Sequence, residues 1–181
     1  MEKKVLFITL TNIGDVILTL PVFDEVRGRY PGSLITVLGS AQVRDIFEGN
    51  PLVKEFIIYN KKDSLKKKVT LALKLLKEDF DVIVDLKDTF LGAVLNIRRG
   101  NLLFKRSGRL FTHMKDIHLS RIGGSQGRID AEKALYVKPE ENKRILKLLE
   151  EAGFKQAKDV IICVAAGSRS ETKRWPKERF A

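Results

Sequence analysis

Two stretches of this sequence combine residue types and spacings that could do chemistry. The first is Thr11-Asn12-Ile13-Gly14-Asp15, directly after a short apolar run. Gly14 permits close approach to the backbone, and Asp15 places a carboxylate where a helix begins. Such a group can act as a general base, or it can serve as a helix cap that accepts backbone N–H bonds. The second is Ala165-Ala166-Gly167-Ser168-Arg169-Ser170-Glu171-Thr172-Lys173-Arg174-Trp175-Pro176. Its glycine, hydroxyls and bases ahead of a helix start suit an anion, with Lys173 supplying charge. The alternative is an ordinary exposed loop with Trp175 packed beneath the helix. The first loop lacks the G-x-G-x-x-G dinucleotide fingerprint, which disfavours a nicotinamide or flavin cofactor. The second lacks P-loop spacing.

Other candidates are weaker. Asp79-Phe80-Asp81 imitates a D-x-D metal motif, but one aspartate ends a helix and the other begins a strand, so capping and turn roles fit better. Asp85, closing the run VIVD, is either a buried functional group or a cap on the following turn. His113 and His118 lie five apart in a basic segment and read as surface residues. Cys163 sits in an apolar run as a core thiol. One cysteine and two histidines give neither a disulfide framework nor a zinc site, and no metal is expected.

The elements that would position these residues alternate between strand and helix. Val5–Leu10, Leu34–Leu38, Phe56–Tyr59 and Val82–Leu86 read as strands, and Asp159–Val164 as a last buried one. Helical spacing marks Val16 to about Arg29, Ala41–Phe47, 64–79, Phe90–Ile97 and Asn142–Ala152, the last stopped by Gly153. Leu102–Phe104 is a further short strand candidate. Residues 105–129, rich in glycine and bases, read as a mobile loop or lid. Apolar strands separated by helices imply a doubly wound parallel α/β sheet with helices on both faces.

Composition sets outer limits. The chain has 181 residues, 44% hydrophobic and 31% charged, which suits a folded globular protein. No apolar run is long enough to span a membrane, and the start lacks a signal peptide's apolar core, so a cytoplasmic setting is expected. The net charge is +11, and two stretches, 61–68 and 98–128, carry the whole excess. That concentration points to a phosphate-bearing partner: nucleic acid, an anionic membrane surface or a phosphorylated ligand. Aromatics are not interleaved with the bases as stacking on nucleic acid requires, which disfavours that partner. A non-catalytic, nucleotide-binding Rossmann-like domain is another alternative.

Several of these residues together resemble the ADP-heptose:lipopolysaccharide heptosyltransferases, glycosyltransferase family 9. The similar segments are Asn12-Ile13-Gly14-Asp15-Val16-Ile17-Leu18-Thr19-Leu20-Pro21, Gly28-Arg29-Tyr30-Pro31, Gly49-Asn50-Pro51-Leu52-Val53 and Phe80 through Leu86. Ala166-Gly167-Ser168 and Lys173 through Ala181 extend the likeness to the end of the chain. The resemblance implies half of a glycosyltransferase-B fold. Residues 1–157 would form the N-terminal acceptor-side Rossmann-like domain, and 158–181 the truncated start of the donor-binding domain. It further implies metal-independent, inverting transfer of heptose from ADP-heptose to the lipopolysaccharide inner core. Asp15 would be the general base and Lys173 the lysine that steadies phosphate. Gly167, Ser168 and Arg169 would lie near the donor diphosphate, with Asn12 and Gly14 at the substrate-binding loop. The acceptor would be a Kdo-lipid A type lipopolysaccharide, reached peripherally at the cytoplasmic face of the inner membrane. A fragment lacking most of the donor domain is not expected to be active alone. One departure is Lys87-Asp88-Thr89, where family members usually carry a Gln-Gly type turn.

Overall fold

The computed structural model describes residues 2–99, 118–119, 135–155, 159–162, 164, 167–168, 171, 174 and 176–179. The chain divides into two compact units, residues 1–138 and 139–181.

In the first unit, β1 (Lys4–Ile8), β2 (Leu34–Gly39), β3 (Val53–Ile58) and β4 (Val82–Asp85) form one sheet in the order β3-β2-β1-β4. All three pairings are parallel, and β1 sits between β2 and β4. Parallel neighbours need crossovers, which here run through α1 (Ile13–Arg29), α2 (Arg44–Phe47) and α3 (Leu65–Lys77); α4 (Phe90–Arg99) follows β4. A 3-10 turn, Ala41–Val43, leads into α2.

Both sheet faces are buried. Val5, Phe7, Val37 and Val84 pack with Val16, Leu20 and Phe23 of α1 and Phe47 of α2. On the other face Leu6, Ile8 and Ile83 pack with Leu75 of α3 and Leu95 of α4. A strand covered on both sides has no polar alternation, which is why β1 reads as a continuous apolar run. The doubly wound sheet expected from the sequence is present. Its strand order advances outward from β1 to β3 and then returns to place β4 on the other side of β1. The crevice opened by that reversal lies at the carboxyl ends of β1 and β4.

The structure corrects several local expectations. Helix α1 starts at Ile13, three residues before its apolar periodicity begins, because Asn12 occupies the N-cap position and the first turn faces solvent. His118, expected at the surface, is only 3% exposed, and its neighbour Leu119 belongs to the α1-side core. Of the segment 105–129, these two are the residues described; His113 and the rest lie outside the described residues, as does Leu102–Phe104.

In the second unit, α5 (Pro139–Glu151) ends at Gly153, whose φ of +89° supplies the left-handed stop. The Phe154 N–H donates to the Leu149 carbonyl at 2.9 Å, closing that turn. The expected strand at 159–164 is not a buried strand. Its described residues are not in a ladder, and Val160 and Ile162 are 87% and 83% exposed. Among the described residues no segment pairs with it. Cys163 lies outside the described residues.

Candidate functional site

The loop after β1 and the first turn of α1 hold Asn12, Gly14 and Asp15 at the carboxyl edge of the sheet. Asn12 adopts an extended conformation (φ −95°, ψ 143°), and its carbonyl accepts the first helical bond, from the Val16 N–H, at 3.0 Å. Its side chain makes no capping bond. Instead the Asn12 Nδ2 donates to Asp15 Oδ2 at 2.9 Å. Asp15 is therefore not the cap that the sequence allowed. It stands in the first turn of α1, exposed, where the helix dipole favours a negative charge. One carboxylate oxygen is oriented by Asn12, and the arrangement is compatible with proton acceptance by the other. A Cβ on Gly14 would meet nothing within 4 Å, so packing does not require glycine here; the bare backbone faces open space.

The loop after β4 is built more tightly. Asp85, 4% exposed, ends the strand and accepts three hydrogen bonds: from the Lys87 N–H at 2.9 Å, and from the Thr89 N–H and hydroxyl at 2.7 Å each. The Thr89 hydroxyl in turn accepts the Gly92 N–H at 2.9 Å and so caps α4. Asp88 between them has a φ of 51°, in the left-handed region that aspartate tolerates better than most residues. Burial raises the Asp85 carboxyl above the ordinary aspartate value, against the pull of its hydrogen bonds, while Asp88 adds repulsion.

That turn presents Lys87 to the crevice. Its Nζ donates to the Thr11 hydroxyl at 2.7 Å and lies 5.9 Å from the centroid of the Tyr59 ring. Three loops thus meet here, those following β1, β3 and β4. The Thr11 carbonyl also accepts the Ser40 hydroxyl at 2.9 Å, which brings in the loop after β2. Burial and the neighbouring Lys61 lower Lys87 from its ordinary value, and Asp85 partly restores it.

The second predicted loop belongs to the second unit. Gly167 is exposed and Ser168 half-buried. The Ser168 carbonyl accepts a bond from the Arg174 Nε at 2.7 Å. Lys173 and Arg169 lie outside the described residues. Sequence reasoning missed Lys87 and Thr11 as organisers. The available signal for Lys87 was a single base two positions beyond a buried aspartate at a strand end.

At the opposite edge, a cavity of about 160 Å³ opens among Lys3, Lys4, Lys54, Glu78 and Phe80. It sits at the amino ends of the strands, away from the loops where α/β sheets hold ligands. Among the described residues, no cluster of side chains could hold a metal ion and no helix is long and apolar enough to cross a membrane.

Such a sheet, with its loops gathered at a strand-order reversal, is a Rossmann-like doubly wound α/β arrangement. It matches half of the glycosyltransferase-B heptosyltransferase structures. The glycosyl transferase family 9 structure from Veillonella parvula superimposes with a TM-score of 0.74 at 22% identity, over 99% of this chain and 58% of that one. The Escherichia coli ADP-heptose LPS heptosyltransferase II gives 0.55 at 17% identity, over 84% and 51%. The E. coli heptosyltransferase WaaC, solved with ADP-2-deoxy-2-fluoro heptose, gives 0.51 at 16% identity, over 84% and 67%. The chain thus spans between half and two thirds of the structures it resembles. No family model and no curated protein matches the sequence.

Proposed function

We propose that this chain supplies the acceptor side of an inverting, metal-independent glycosyltransferase that moves heptose from ADP-heptose to the lipopolysaccharide inner core. The supporting observation is Asp15: an exposed carboxylate, oriented by Asn12, at the crevice of a fold shared with family 9 structures. In this reading the acceptor hydroxyl gives its proton to Asp15 as its oxygen bonds to the anomeric carbon. The bond to the donor diphosphate breaks on the opposite face, which inverts the configuration. ADP leaves carrying the negative charge, which Lys173 steadies with help from Gly167, Ser168 and Arg169. The acceptor is a Kdo-lipid A type molecule, and the enzyme works at the cytoplasmic face of the inner membrane, drawn there by its basic surface.

The test is steady-state heptosyl transfer by the protein that carries this chain, comparing wild type with Asp15→Asn. Loss of a general base lowers turnover by about 10²–10⁴. Asparagine keeps the side chain's size and costs only the first-turn charge, on the order of 0.3–1 kcal/mol, so the melting temperature shifts little. Near-normal turnover would reduce Asp15 to a helix-stabilising charge.

A further inference from the structure

We propose that the cavity at the amino ends of the strands is a binding site for a small carboxylate whose apolar body is about the size of one six-membered ring. The site lies at the edge of the sheet opposite Asp15 and stands apart from the glycosyl-transfer reading.

The periodicity of the sheet builds it. Lys4 of β1 pairs with Leu34 of β2, and Leu6 with Thr36. Side chains two apart share a face, so Lys4, Leu34 and Thr36 stand on the side of Leu6 and Leu38, which α3 covers with Leu75. That helix stops at Lys77, and the chain turns through Glu78 to the buried Phe80. The space left at the helix end has a volume of about 160 Å³, with Leu34 and Phe80 as its apolar walls. An engineered apolar cavity of about 150 Å³ binds benzene, which sets the size of the ligand.

Two polar groups give the cavity its chemistry. Thr36 is 6% exposed and lines the cavity, and its hydroxyl has no hydrogen-bond partner among the described residues. A hydroxyl held out of water without a partner is costly, and a ligand that bonds to it removes the cost. Lys54 is the extra residue of a β-bulge. Ile35 pairs with Val53 and Thr36 with Glu55, which leaves Lys54 with no residue opposite. Bulges re-aim side chains, and Lys54 also lines the cavity. The adjacent acid, Glu55, is taken by Lys74 at 2.8 Å, and among the described residues Lys54 is in no ion pair.

The other two lysines at the rim are engaged. Lys4 Nζ donates to the Glu78 carbonyl at 3.2 Å, and Lys3 Nζ lies 5.2 Å from the centroid of the Tyr30 ring. Glu2 and Glu78 set two carboxylates against these three ammonium groups, so the balance favours an anion and Lys54 is the charge left to meet it. A carboxylate on an apolar ring answers Lys54 and Thr36 with its oxygens while the ring covers Leu34 and Phe80. Bare phosphate supplies the charge but leaves those apolar walls wet.

The test is an NMR titration of the 181-residue chain with benzoate, following the amides of Leu34, Thr36 and Lys54. Saturable shifts confined to this edge are expected, with a dissociation constant on the order of 1 mM. Lys54→Met and Lys54→Gln each remove the charge and should weaken binding about fivefold or more. Thr36→Val should weaken it about threefold to tenfold, whereas Thr36→Ser, which keeps the hydroxyl, should bind as wild type does. Lys62→Met, on the loop beyond the carboxyl end of β3, should leave affinity unchanged. Benzylamine and inorganic phosphate are the contrasting probes, and each should bind about tenfold more weakly than benzoate. Benzylamine binding as tightly would overturn the carboxylate, and phosphate binding as tightly would overturn the apolar body. Absence of saturable shifts, or affinity unchanged in both Lys54 variants and in Thr36→Val, would overturn the site itself. Asp15→Asn should bind benzoate normally, so this inference and the base reading fail separately.

Discussion

Asp85 spends its carboxylate on the protein itself. Its three accepted hydrogen bonds fix the turn that carries Lys87 and reach, through Thr89, to the start of α4. Asp85→Ala leaves buried donors without partners and should cost about 2–3 kcal/mol in a chemical denaturation experiment. A pH effect accompanies this. Burial makes the folded protein hold the Asp85 proton more tightly than the unfolded chain does. The group's contribution to stability is therefore greatest below the ordinary aspartate value and declines as pH rises through the raised one. In Asp85→Asn that decline disappears; subtracting the two stability profiles isolates it, and a flat difference would show the carboxyl titrating normally. At this scale the sequence was half legible. Asp15 could be found because it follows a strand by a short loop, and Asp85 because a carboxylate closing an apolar run has few reasons to be there. Lys87 could not, since its importance depends on Thr11 and Tyr59, which are distant in the chain.

Helix α4 shows how an element can depend on what one position lacks. A Cβ added at Gly92 would collide with the Asp85 carboxylate, which its hydrogen bonds prevent from moving aside. In an unencumbered helix interior, glycine to alanine gains about 1 kcal/mol. Gly92→Ala should instead lower stability, by about 1–3 kcal/mol, and thermal melting gives the sign directly. Elements were otherwise well marked in the sequence where they are buried on both faces, as in β1 and β4, whereas the apolar spacing that marked α3 includes Leu65, Val69 and Leu73, which are exposed, and misses its buried Leu75. Ends were less legible because they are set by local polar bonds. Strand β3 begins at Val53, three residues before its expected start at Phe56. There Asn50 Oδ1 accepts the Leu52 N–H at 3.0 Å and turns the chain into the sheet early.

At the level of the whole molecule, the fold class was legible because a doubly wound sheet repeats one local alternation. The strand order was not, since it rests on pairings such as Ile8 with Asp85 that no local pattern encodes. The run Asp159–Val164 marks the same limit from the other side: apolar character does not by itself place a segment in a ladder. Its described residues leave Val160, Ile162 and Val164 in solvent with their backbone outside any ladder. A β-branched stretch in that condition is a template on which a second copy can add a rung, the route by which unprotected strands start aggregates. Light scattering of the 181-residue chain should therefore rise with concentration and incubation time. Ile162→Lys should suppress that rise while the melting of the first unit stays where it was, because a charge in an exposed apolar segment blocks sticky contacts without touching the α/β core.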